Sequence, residues 1–128
     1  ITSRGCPFKC IYCEQGNLRF RARSPENILK EIKECYEKYK IREIDFFDSS
    51  FTIDKKRILR LCKLLNKEDM DIKWAARSRV DTINKKMLEE MKRAGCDRIY
   101  YGIESGVPKI LYKLNKNTNI NIIKKIRV

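Results

Sequence analysis

The strongest constraint on the fold is a regular alternation of short apolar runs with amphipathic helical segments. Ile44-Asp45-Phe46-Phe47, Ile72-Lys73-Trp74-Ala75-Ala76 and Arg98-Ile99-Tyr100-Tyr101 read as strands, and Ile1-Thr2-Ser3 reads as the end of another. Between them lie three stretches with apolar residues at helical spacing. The first carries Ile28, Leu29, Ile32, Cys35, Tyr36 and Tyr39, the second Ile58, Leu61, Cys62 and Leu65, the third Met87, Leu88 and Met91. Each has a start signal. Ser24 precedes Pro25 and Glu26, and Asp54 and Asn84 stand where N-caps belong. Gly95 sits at a C′ position. Pro108 opens a short fourth helix through Leu114, and a fifth begins at Ile120 and runs to Val128. Strand and helix in strict alternation predict a parallel sheet with right-handed crossovers, an α/β fold.

In such folds ligands bind beyond the carboxyl ends of the strands. The residues there are chemically distinctive: a polar, basic cysteine loop from Cys6 to Ser24, Asp48-Ser49-Ser50, Arg77 and Arg79, and the run Gly102 to Gly106. Their coincidence at one end of the sheet predicts a single shared site.

The chain has six cysteines and no histidine. Cys6, Cys10 and Cys13 follow a C-x-x-x-C-x-x-C spacing that can turn three thiolates toward one centre. Thiolates are the ordinary ligands of iron–sulfur clusters, and three of them leave one iron of a cubane open. A structural zinc site would need four ligands. Cys35 and Cys62 lie on apolar helix faces and Cys96 follows a helix stop, so all three read as small core residues. Free thiols in this pattern point to a reducing, cytoplasmic compartment. No apolar run approaches a membrane span, and no segment reads as a signal peptide. The net charge of +13, from 30 Lys and Arg against 17 Asp and Glu, admits a nucleic-acid partner. The basic residues are interleaved with Glu rather than gathered in a block, which favours solvated helix faces instead. A chain of 128 residues that opens without Met and closes within a helix is expected to be one domain, truncated at both ends.

Thr2-Ser3-Arg4-Gly5-Cys6-Pro7 through Cys13 resembles the signature of the radical S-adenosylmethionine (SAM) superfamily. Arg21-Ala22-Arg23-Ser24-Pro25-Glu26, Phe47-Asp48-Ser49-Ser50-Phe51-Thr52, Arg79-Val80-Asp81 and Gly102-Ile103-Glu104-Ser105-Gly106 extend the resemblance, in order, toward the branch that often carries an N-terminal cobalamin-binding domain. The cysteine motif is highly specific; the others persuade as a set.

The resemblance implies a partial parallel (β/α) barrel of about four βα units, with residues 1–128 forming the N-terminal part of the core domain. It implies a 4Fe-4S cluster on Cys6, Cys10 and Cys13 whose fourth iron is chelated by SAM. An electron donor such as a flavodoxin or ferredoxin would then drive cleavage of SAM to a 5′-deoxyadenosyl radical acting on an unknown substrate. Tyr12 matches a position packed near the adenine. Asp48 or Ser49 would meet the SAM amine, although Asp48-Ser49-Ser50 departs from the commoner Gly-Gly-Glu form and could instead cap a helix. Arg77 stands where some relatives carry a SAM-contacting Glu; it could meet the SAM carboxylate but cannot accept from a ribose hydroxyl. Arg79 matches an arginine typical of the branch, and either arginine could simply form a surface ion pair with Asp81 or a neighbouring acid. Glu104 would accept from the ribose hydroxyls, with Gly102 and Gly106 letting backbone approach. Cobalamin would enter through a domain absent from this chain. Two other functions remain open: an RNA-modifying methylthiotransferase of the same superfamily, and a non-enzymatic, metal-stabilised basic module binding nucleic acid. The last requires a second cysteine pair. The open sheet edge predicts that the fragment aggregates when isolated.

Overall fold

The computed structural model describes residues 1–116 and 118–125. Two short strands, β1 (Ser3–Arg4) and β2 (Arg21–Ala22), bracket the cysteine loop. Then follow α1 (Pro25–Tyr39), β3 (Glu43–Phe46), α2 (Lys55–Leu65), β4 (Lys73–Ser78), α3 (Lys85–Arg93), β5 (Cys96–Tyr101), α4 (Pro108–Lys113) and α5 (Ile120–Lys125). The expected continuation of the last helix to Val128 lies outside the described residues.

The three long strands form a parallel sheet in the order β3-β4-β5, with helices in the crossovers, as in a partial (β/α) barrel. The first unit differs from expectation. β1 does not join this sheet but pairs antiparallel with β2, Ser3 opposite Ala22. Gly5 turns the chain immediately afterwards with φ of +75°, and a Cβ there would lie 2.5 Å from the Arg19 carbonyl oxygen. The chain therefore leaves β1 here and enters the cysteine loop. A short 3₁₀ turn, Glu14–Asn17, completes what the sequence left as plain loop.

The three expected caps are formed. The side chains of Ser24, Asp54 and Asn84 accept from the backbone N–H groups of Asn27, Arg57 and Met87, each worth about 0.5–2 kcal/mol. Apolar faces of α1, α2 and α3 close over one side of the sheet. Ile28, Ile32, Ile58, Leu61, Leu65, Met87 and Met91 pack there on Phe46, Trp74 and Ala76. Phe46, Phe51 and Trp74 form the aromatic centre, with ring centroids 4.7–5.5 Å apart. The Trp74 indole donates to the Ala94 carbonyl at 2.6 Å. At Gly95, φ is +91° and a Cβ would meet the Ile72 carbonyl oxygen at 2.3 Å, so glycine alone permits the α3–β5 turn.

Cys62 is fully buried, while Cys35 and Cys96 are half-buried. Burial pushes the Cys62 and Cys96 thiols up to about 12, which keeps both protonated and inert. Among the described residues, no helix is long and apolar enough to cross a membrane. Side chains alternate across each strand. Those facing the helices, such as Trp74, Ala76 and Ser78, are buried; Asp45, Arg77 and Tyr100 lie on the open face.

Candidate cofactor site

A cavity of about 400 Å³ lies at the carboxyl ends of β3, β4 and β5. Cys6, Cys10 and Cys13 form one wall with Phe8 and Tyr12, while Ser49, Ser50, Arg77, Arg79, Gly102, Glu104 and Lys116 line the remainder. All three cysteines thus reach the strand-end residues that the alternation pattern placed together.

The cysteine loop is held by its own backbone and by the segment after α4. The Cys13 N–H donates to the Cys10 carbonyl at 3.1 Å, and the Ile11 N–H donates to the Leu114 carbonyl at 3.1 Å. Asn115 Nδ2 donates to the Lys9 carbonyl at 2.7 Å, and Lys9 Nζ to the Gly16 carbonyl at 2.5 Å. Gly16 is needed for this closure, since a Cβ would lie 2.3 Å from the Phe8 carbonyl oxygen. Burial raises the Cys6 thiol, a backbone hydrogen bond from Phe8 opposes the rise, and the neighbouring Cys13 adds to it.

The donor set has the chemistry of a cluster site. In a cubane each thiolate binds a different iron, and Cys6, Cys10 and Cys13 all line one cavity in a chain without histidine, which fits a 4Fe-4S cluster.

Asp48 is not brought to the cavity. It is 1% exposed, and its carboxylate accepts from the Thr2 N–H at 2.6 Å, Thr2 Oγ1 at 2.5 Å and Ser3 Oγ at 2.6 Å. Arg57 Nη2 lies 3.7 Å away, and Arg57 Nη1 donates to Thr2 Oγ1 at 3.0 Å. Burial lowers the Arg57 pKa, with the charges of Asp48 and Asp54 opposing. Asp48 is therefore the anchor of the N-terminal segment rather than a cavity acceptor, and it caps no helix, since that task falls to Asp54. Ser49 and Ser50 face the cavity in its place.

Arg77 and Arg79 diverge although only one residue separates them. Arg77 pairs with a neighbouring acid, Asp45, at 2.7 and 3.2 Å, and stacks on Phe47 with 3.5 Å to the ring centroid. Arg79 is buried. It donates to both Asp81 oxygens, at 2.8 and 2.5 Å, to the Lys116 carbonyl at 2.7 Å, and to Cys10 Sγ at 3.5 Å, over the Phe8 ring. Burial works against its charge, but hydrogen bonding and charge from Asp81, with a contribution from Cys10, raise its pKa. The expected ion pair with Asp81 and a place in the cavity wall are therefore compatible.

Glu104 sits in the left-handed region with φ of +68°, uncommon for a residue with a Cβ. Its Oε1 accepts from Lys116 Nζ at 3.0 Å, and the same ammonium donates to Tyr12 Oη at 3.1 Å. The Lys116 hydrogen bond holds the Glu104 carboxyl below its ordinary range, opposed by partial burial. Partial burial, then hydrogen bonding to Glu104, raises the Tyr12 phenol. Gly102 makes room for the pair, since a Cβ there would lie 2.9 Å from Glu104 Oε1 and 3.1 Å from Lys116 Nζ. Gly106 has no such role, with nothing within 4 Å of a Cβ.

Sequence reasoning missed Ser50, Phe8 and Lys116. Ser50 and Phe8 lay inside quoted motifs and needed only a direction for their side chains. Lys116 had no local signal: it is one of many lysines, and its partners are remote in sequence.

A family model described as the Radical SAM superfamily matches residues 1–127. An uncharacterized methyltransferase of Pyrococcus horikoshii is 42% identical over 119 residues, 91% of this chain and 26% of that protein. The anaerobic magnesium-protoporphyrin IX monomethyl ester cyclase of Rubrivivax gelatinosus is 30% identical over 122 residues, 92% of this chain and 22% of that protein. The structure of the cobalamin-dependent S-adenosylmethionine radical enzyme OxsB, with aqua-cobalamin and S-adenosylmethionine bound, superposes with a TM-score of 0.83. It shares 28% identity and covers 94% of this chain and 20% of the OxsB chain. The chain thus spans about a quarter or less of the proteins it matches.

Proposed function

This chain belongs to the radical SAM superfamily, and from that premise we propose that it is the cluster- and SAM-binding part of a larger radical SAM enzyme of the cobalamin-associated branch. Cys6, Cys10 and Cys13 would hold the 4Fe-4S cluster. When bound, that cluster supplies one electron for reductive cleavage of SAM to methionine and a 5′-deoxyadenosyl radical. The protein's own residues bind and orient. Glu104 offers a carboxylate to ribose hydroxyls and Tyr12 an aromatic face near the adenine. Ser49 offers a hydroxyl to the SAM amine, the role left open between it and Asp48. Arg77 at the cavity rim suits the SAM carboxylate. Arg79, already committed to Asp81, is placed to hold Cys10.

One observation carries this reading: three thiols and an acceptor-bearing opposite wall share a single cavity at the strand ends. The rest of the enzyme, including a cobalamin domain and the substrate site, would lie elsewhere in the full-length protein. The methyltransferase and cyclase names of the relatives favour methyl transfer or ring chemistry over RNA modification, and the superfamily match replaces the non-enzymatic reading. A cytoplasmic setting with a flavodoxin or ferredoxin as donor suits free, half-buried thiols and a low-potential cluster.

The test is anaerobic iron–sulfur reconstitution of the full-length protein, followed by absorption and electron paramagnetic resonance spectra with and without SAM. A cubane signal that changes on adding SAM is expected. Zinc alone, or a cluster indifferent to SAM, would overturn the reading. Cys10→Ala should abolish the cubane, and a full cluster in that variant would refute the ligand assignment.

A further inference from the structure

Lys116 follows α4 and its side chain is only 5% exposed. Burying an ammonium is costly unless it is paired and hydrogen-bonded. Here the pairing draws together groups far apart in the chain. The ammonium lies 3.0 Å from Glu104 Oε1 and 3.1 Å from Tyr12 Oη. The carbonyl of the same residue accepts from Arg79 Nη2 at 2.7 Å, and that guanidinium also contacts Cys10 Sγ. Lys116 therefore joins the carboxylate on one wall to the aromatic that directly precedes Cys13 on the other.

We infer that Lys116 is a positioning residue of the SAM site, holding Glu104 toward the cavity and tying that acceptor to the cysteine loop through Tyr12. The inference rests on the SAM reading above and adds to it the residue that presents the ribose acceptor. Glu104 needs such a support. Its left-handed backbone is disfavoured for a non-glycine residue, and an exposed Glu without a partner would relax to other rotamers. Gly102 completes the arrangement by leaving space where a Cβ would press on both members of the pair. A carboxylate has acceptor sites for an ammonium and for ribose hydroxyls together, so the ion pair does not exhaust it.

The experiment measures SAM affinity in the reconstituted full-length protein, by the SAM-dependent change in the cluster spectrum, alongside iron content. Lys116→Met should weaken SAM by about tenfold, the loss expected for one charge-assisted hydrogen bond, with iron at the wild-type level. Lys116→Arg should recover most of the affinity, because it restores a cation at the same place. In a double-mutant cycle with Glu104→Gln, the second substitution should cost little once the first is made. Methionine alone, which lacks the ribose, should bind wild type and Lys116→Met equally. Wild-type SAM affinity in Lys116→Met, fully additive losses, an equal loss for methionine, or iron lost from both Lys116 variants would each overturn the inference. If wild type itself takes up a cluster that ignores SAM, the underlying reading fails instead.

Discussion

The ends of β3 and β5 each carry a carboxylate a few residues beyond the strand, and their fates are opposite. Asp48 is sealed beneath the N-terminal segment by Thr2 and Ser3 and backed by Arg57. Glu104 stands in the cavity wall with a single lysine behind it. Position at a strand end therefore does not by itself place a side chain in the cavity. What matters is which segment crosses that end: β1 covers the end of β3 through Thr2 and Ser3, whereas the end of β5 meets Lys116 after α4 and, through it, Tyr12 of the cysteine loop. Arg77 in β4 and Arg79 just beyond it repeat the contrast on a smaller scale, Arg77 at the rim and Arg79 inside.

The largest effect that could break this contrast is on stability. Asp48→Ala strands a buried Arg57 and the hydroxyls of Thr2 and Ser3, and is expected to cost about 3–5 kcal/mol. Glu104→Gln, which leaves Lys116 an acceptor at a site one-third exposed, should cost about 1 kcal/mol or less. Urea unfolding midpoints of the two full-length variants check both figures, and equal losses would erase the distinction between buried anchor and cavity-wall residue. Next come the arginines. Arg79→Ala removes buried, charge-assisted hydrogen bonds and should cost about 2–3 kcal/mol, against about 1 kcal/mol at most for Arg77→Ala. The same denaturation series decides it, and a larger loss at Arg77 would reverse the assignment of interior and rim.

The smallest effect is on pH dependence. Lys116 holds the folded-state pKa of Glu104 below its unfolded value of about 4.3. The ionised carboxylate therefore supports the fold above that pH, and the support fades as pH falls through the lower folded value. Lys116→Met should flatten this part of the acid limb. Midpoints compared between about pH 5 and pH 3 read the difference directly, and an unchanged slope would detach Glu104 from its lysine.

Much of the fold was legible because its signals are local. Ser24, Asp54 and Asn84 cap the helices they precede, and the apolar stripes of α1, α2 and α3 became the core. The placing of the cysteines was equally readable, since the C-x-x-x-C-x-x-C spacing confines three thiols to one short loop, and that loop lines the cavity. What was not legible depends on distant partners. Nothing in Ile1-Thr2-Ser3 reveals that Arg21–Ala22 will pair with β1. Nothing near Asp48 reveals that its hydrogen-bond partners precede it by more than forty residues.

Local patterns alone gave the main helices, the parallel strands β3 to β5 and the residues gathered at one end of the sheet, because periodicity, capping and short spacings are written within a few residues. Which carboxylate faces the cavity, which arginine is buried and that Lys116 lines it emerged from packing. Those outcomes depend on desolvation and on pairings across the fold, such as Lys116 with Tyr12 over 104 residues, which no local pattern encodes.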